Sequence, residues 1–107
     1  MKINEYLKKH YKFNDKLGMS SIAPKIICVD GFTVSVQASE YHYCSPRENN
    51  AFPYFEVEIG FPSAKEETLM PFIDEAENNP TDSVYAYVPV EIVDEIISRH
   101  GGIKENN

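Results

Sequence analysis

Apolar residues recur every three to four positions at both ends of this chain and every second position between them, so helices should flank strands. Ile3, Tyr6, Leu7 and Tyr11 form a helical stripe with Lys8, Lys9 and Lys12 mainly off it. Glu5 stands within pairing distance of Lys8 or Lys9 on the same helix. The pattern predicts that this helix ends between residues 13 and 18, with GMSSIAP as loop and Pro24 leading into a strand. KIICVDGFTVSV then places two β-rich runs around Asp30-Gly31, the signature of a two-residue type I′ hairpin. That turn would pair Val29 with Phe32 and Ile27 with Val34, gathering Ile27, Val29, Phe32, Val34 and Val36 on the core face. Ile26, Cys28, Thr33, Ser35 and Gln37 would take the other face.

Residues 54–61 alternate Phe55, Val57, Ile59 and Phe61 against Tyr54, Glu56 and Glu58, a third strand. SVYAYVPV, residues 83–90, alternates Val84, Ala86 and Val88 against Tyr85 and Tyr87, a fourth. Residues 63–81 read as an acidic, mobile surface loop with a short element around Leu69–Ile73. Val90, Val93, Ile96 and Ile97 stripe a closing helix. Pro89 and Glu91 suit its start, and Gly101-Gly102 suit a left-handed cap. The order predicts one α+β domain over residues 1–102, a mainly antiparallel sheet of four to five strands with both helices packed on it. Residues 103–107 should fray.

Composition agrees with one folded core: 107 residues, 42% hydrophobic and 12% aromatic. The net charge of −7 disfavours direct DNA binding and adhesion to anionic membrane. Its distribution is lopsided. Residues 1–25 hold six lysines against Glu5 and Asp15, while the remainder holds four basic and fifteen acidic residues. Opposite surfaces of that kind can dock, and a homo-oligomer is the expectation. Cys28 and Cys44 show neither metal nor disulfide spacing, which suits free thiols in a reducing cytoplasm. No secretory or membrane-spanning run is expected in the sequence.

The densest chemistry is SVQASEYHYCSPRENN, residues 35–50. Tyr41 and Tyr43 offer faces for a planar ligand, Gln37 and His42 offer hydrogen bonds, and Arg47 offers a fork for phosphate or carboxylate. These five residues are the candidate ligand-binding set. His42 and Cys44 share a strand face and could form a nucleophilic pair, but no orienting carboxylate or oxyanion loop accompanies them, so no catalytic residue is assigned. The same pair supplies at most two metal ligands, short of any zinc site, so neither metal nor cofactor is expected. The acids Glu66, Glu67, Asp74, Glu75, Glu77 and Asp82 could mimic phosphates toward a host protein that binds nucleic acid.

The blocks DGFTVSVQASEYHYCSPR, VEIGFPS and VYAYVPVEIVDEIISRHGG resemble a family of small phage- and prophage-encoded accessory proteins. The resemblance implies a compact phage accessory protein expressed in the cytoplasm of a bacterial host, and small accessory proteins of phages often antagonise host defence. Such antagonism blocks an effector or sequesters a nucleotide signal. The expected function is therefore non-enzymatic binding of a small anionic, nucleotide-like ligand. The alternatives are an acidic protein–protein inhibitor of a host protein and, more weakly, a small Cys/His enzyme.

Overall fold

The structure is a computed structural model that describes residues 1–10, 13–14, 19–20, 23–75 and 78–105. Tyr11, Lys12, Asp15, Lys16 and Glu77, which entered the sequence reading, lie outside the described residues. Helix α1 (Ile3–His10) is followed by β1 (Phe13–Asn14), which pairs antiparallel with β2 (Met19–Ser20). Part of the expected loop GMSS is thus a strand. The main sheet contains β3 (Ile26–Ile27), β4 (Thr33–Gln37), β5 (Glu56–Gly60) and β6 (Val84–Pro89), in that spatial order and antiparallel throughout. Helix α2 (Val90–Arg99) follows β6 directly. This is the expected α+β architecture.

One apolar cluster joins the layers. It takes Ile3, Tyr6 and Leu7 from α1, Val34, Val36, Val57, Ile59, Tyr85 and Val88 from the sheet, and Val93, Ile96 and Ile97 from α2. Helix α1 is tied down at its start, where the Ile3 N–H donates to Asp94 Oδ1 on α2 at 2.7 Å. This carboxylate satisfies an otherwise orphaned donor and suits the positive helix end. One residue on, the Asn4 amide accepts from Tyr54 N–H at 2.8 Å and donates to Tyr54 O at 2.9 Å.

The first hairpin departs from expectation by one residue. Ile26 pairs with Val34 and Ile27 with Thr33. The connection is three residues long: Cys28 N–H donates to Phe32 O at 2.8 Å, and Gly31 N–H donates to Cys28 O at 2.9 Å. Val29 and Asp30 turn the chain, and Gly31, at φ +97°, takes the left-handed bulge position. Asp30 Oδ1 accepts the Phe32 N–H at 2.9 Å and closes a local Asx turn. A one-residue slip exchanges the faces of a strand. Ile26 and Cys28 are therefore buried, and Ile27 and Val29 face outward, the reverse of the reading from a two-residue turn. The β4 face is as expected, with Phe32, Val34 and Val36 buried.

Strand β5 keeps its central alternation, with Val57 and Ile59 buried, but loses it at both ends. Phe55 and Phe61 are exposed and Tyr54 is buried. On β6 a bulge resets the faces. Val57 pairs with Val88 and Ile59 with Tyr85, so two residues of β6, Ala86 and Tyr87, oppose the single Glu58 of β5. Tyr87 sits in the bulge at φ +54°. Tyr85 and Val88, three apart in sequence, thus both enter the core, where strict alternation placed Val84, Ala86 and Val88.

The described residues of the acidic stretch, 63–75 and 78–81, form a crosspiece that includes the short element expected around Leu69–Ile73. A 3₁₀ helix spans Glu67–Phe72, Leu69 is buried in the core, Ile73 bridges to Tyr85, and a second 3₁₀ turn covers Pro80–Asp82. Helix α2 ends as expected. Gly101 N–H donates to Ser98 O and Gly102 N–H to Ile97 O, a Schellman closure with both glycines at positive φ. The segment expected to fray starts by joining the sheet. Ile103 bridges to Cys28, Val29 N–H donates to Gly102 O at 2.9 Å, and Lys104 N–H donates to Ile27 O at 2.7 Å. This short strap lies along the outer edge of β3.

Candidate functional site

Of the five residues singled out in the sequence, Gln37 is buried and its amide is engaged. Its Oε1 accepts from Ala23 N–H at 2.8 Å, and its Nε2 donates to Ala23 O at 2.9 Å and to Ser35 Oγ at 3.0 Å. It replaces a missing backbone partner for the segment entering β3. His42 is half-buried, with Nδ1 2.6 Å from Ser39 Oγ. Burial pushes its imidazole below the ordinary value, and the Arg47 charge adds to this against the opposing pull of Glu58. Its resting form at neutral pH is the neutral ring.

Tyr41, Tyr43 and Arg47 are exposed. The Arg47 guanidinium lies 5.4 Å from the centre of the Tyr43 ring, and its Nε donates to Glu40 O at 3.1 Å. Tyr87, placed outward by the β6 bulge, brings its ring to 6.0 Å from Tyr43. Glu58 Oε2 accepts the Tyr43 N–H at 2.9 Å. Tyr43, Arg47 and Tyr87 therefore form an aromatic–cationic surface, with His42 alongside and Gln37 turned away into its own bonds. Alternation had already set Tyr87 opposite Val84, Ala86 and Val88, but its meeting with Tyr43, distant in sequence, was not visible there. Cys44 is buried, with its thiol 3.2 Å from Ser39 O, and burial pushes its pKa up, which is unfavourable for a nucleophile.

A second polar constellation joins three distant segments. His100 at the end of α2 presents Nδ1 to Asp30 Oδ2 at 2.6 Å and Nε2 to Glu66 Oε1 at 2.5 Å. Glu66 also accepts from Arg99 at 3.2 Å, and the Phe32 ring stacks on the imidazole at 4.0 Å and 6°. Burial alone would lower the His100 pKa, but the bonds to Glu66 and Asp30 and their charges outweigh it and hold the ring above its ordinary value. With both nitrogens occupied, this imidazolium is a clamp between the hairpin, the crosspiece and α2. Glu66 is consequently no part of an exposed acidic display.

The concavity with the clearest chemical bias lies where α1, β3 and the strap meet. It encloses about 270 Å³ and, among the described residues, is lined by Lys9, His10, Lys25 and Lys104 against the carboxylate of Glu105. Tyr6, Ile27 and Ile103 give it an apolar lining. Three of the chain's ten Lys and Arg residues converge here in a molecule of net charge −7. A wider hollow of about 400 Å³ beside the start of α1 balances Lys2 with Asp94 and has no such bias. Lys9 and Lys25 were visible in the sequence as part of the lysine-rich first segment, whereas Lys104 fell in the tail expected to fray. Lys25 and Lys104, far apart in the chain, meet only through the strap.

Among the described residues, no group of three His, Cys, Asp or Glu side chains is placed to hold a metal ion. None of the described helices is long and apolar enough to cross a membrane. The chain matches no protein-family model, no curated protein and no solved structure.

Proposed function

We propose that this chain is a non-enzymatic binding protein that sequesters a small anionic, nucleotide-like ligand in the concavity between α1, β3 and the strap. The observation that supports this reading is the convergence of Lys9, Lys25, Lys104 and His10 on one hollow of an otherwise acidic molecule. Such a field attracts anions and raises their local concentration. Together with the resemblance of its sequence blocks to phage accessory proteins, it frames the biological role as counter-defence inside a bacterial host. The site differs from the residues first singled out; Tyr43 and Arg47 belong to another surface.

The test is calorimetry on nucleotide-free protein with cyclic nucleotides and ADP-ribose derivatives, followed by denaturation and recovery of the ligand. Wild-type protein should bind at least one of them, weaken with added salt, and return the ligand intact. The double variant Lys25→Glu with Lys104→Glu should bind at least about tenfold more weakly. No binding at millimolar ligand, or undiminished binding by the double variant, would refute the reading.

A second reading, a protein–protein inhibitor, is favoured by the exposed rings of Tyr41, Tyr43, Phe55 and Tyr87, since aromatic residues and Arg are enriched at interfaces. It requires a host protein to co-purify with the chain. Either reading includes a homo-oligomer, which a light-scattering mass of one chain would contradict.

A further inference from the structure

Resting on the proposed anion-binding role, we infer that the ligand is an amphiphilic anion, a phosphate or carboxylate carried on an apolar or planar body. We further infer that the strap is the wall that selects it. A site for a bare anion needs converging backbone N–H groups or buried donors. The cations here are instead the exposed side chains of Lys9, Lys25 and Lys104, which are weak holders of a small hydrated ion.

Apart from His10 and Glu105, the remaining described lining is apolar. Tyr6 is held in place by its hydroxyl, which donates to Pro24 O at 3.1 Å, and its ring lies 4.4 Å from that of His10. Ile27 stands outward, 48% exposed, because the three-residue turn reverses the faces of β3. Ile103 joins it from the strap. A ligand with an apolar or planar body would cover this surface, and a bare phosphate would leave it wet. The volume of about 270 Å³ is at the small end for organic ligands, which favours one mononucleotide-sized molecule over a longer one.

The strap contributes one group of each kind, Ile103 for the body and Lys104 for the charge. Among the described residues it is attached by edge pairing to β3, through Lys104 N–H to Ile27 O at 2.7 Å and Val29 N–H to Gly102 O at 2.9 Å, and by Ile103 resting against the margin of the core. A ligand that spans α1 and the strap therefore stabilises the strap as it binds, by mass action.

The experiment titrates the full chain, by calorimetry and amide NMR, with inorganic phosphate, a nucleoside monophosphate and a short alkyl phosphate. At least one organic phosphate should bind about tenfold or more tightly than inorganic phosphate. It should also slow amide exchange at Ile103 and Lys104. The alkyl and nucleoside arms identify which kind of body fits. Ile103→Ser should abolish the preference by bringing the affinity for the favoured organic phosphate down to that for inorganic phosphate. Lys104→Gln should weaken all three probes alike, and thermal melts verify that both variants fold. Equal affinity for all three probes overturns this inference and leaves the anion-binding role standing. Failure of every probe to bind overturns both.

Discussion

Replacing His100 by Leu would keep an apolar body beside Phe32 and remove both N–H donors of the clamp. The inner bond carries most of the effect. Glu66 is only 7% exposed, and its Oε1 accepts from His100 at 2.5 Å. A hydrogen bond to a charged group contributes about 1.5–3 kcal/mol, and an under-satisfied buried carboxylate adds to the loss. Arg99, 3.2 Å from the other oxygen, retains part of the compensation. The Asp30 arm lies in solvent and adds little. A net loss of about 2 kcal/mol follows, or roughly 8–16 °C in Tm for a domain of this size.

The loss should depend on pH with a definite sign. The folded-state pKa of His100 is raised above its unfolded value. Its stabilisation is thus fully present below about pH 6.5 and disappears as pH rises through the folded value. Asp30, whose pKa is lowered chiefly by the Phe32 N–H and by His100, stabilises above its unfolded value and loses that contribution in acid. Urea unfolding followed by circular dichroism, at about pH 6 and about pH 9, should show the gap between wild type and His100→Leu shrinking at the higher pH. A gap that is the same at both values, or below about 0.5 kcal/mol at pH 6, would refute the clamp.

Two glycines separate backbone strain from crowding. Gly31→Ala meets no atom within 4 Å, so it should cost only the positive-φ penalty of about 1–2 kcal/mol. Gly101→Ala meets the same penalty and also places a methyl 3.0 Å from Val29 Cβ, so its urea midpoint should fall further. Equal midpoints would contradict the packing of Val29 against the α2 cap. Gln37→Ala removes two bonds to Ala23 in a buried setting and should lose about 1–3 kcal/mol of stability in the same assay. Its affinity for an anionic ligand should match wild type; a loss of binding in a stably folded variant would return Gln37 to the ligand site.

The type and order of the two helices and the four main strands were legible in the sequence because they rest on local rules, whereas the β1–β2 pair and the strap were not. The α1 and α2 stripes, the β4 and central β5 alternation and the Gly101-Gly102 cap all follow from repeat period and φ preference, which neighbours in sequence suffice to set. The faces of β3 were not legible, since Ile26 with Cys28 and Ile27 with Val29 are equally apolar pairs. The choice fell to a three-residue turn that also aims Asp30 at His100, seventy residues away. Nor could alternation reveal the β6 bulge, which brings Tyr85 and Val88 to one face and turns Tyr87 toward Tyr43. Gln37 carried the right chemistry for a ligand, but its partner was Ala23, a backbone that only folding delivers. The lysines likewise announced a basic segment without a place for it. Tertiary structure decided that Lys9, Lys25 and Lys104 share one hollow, because the strap pairs with β3 and carries its charge across the edge of the sheet.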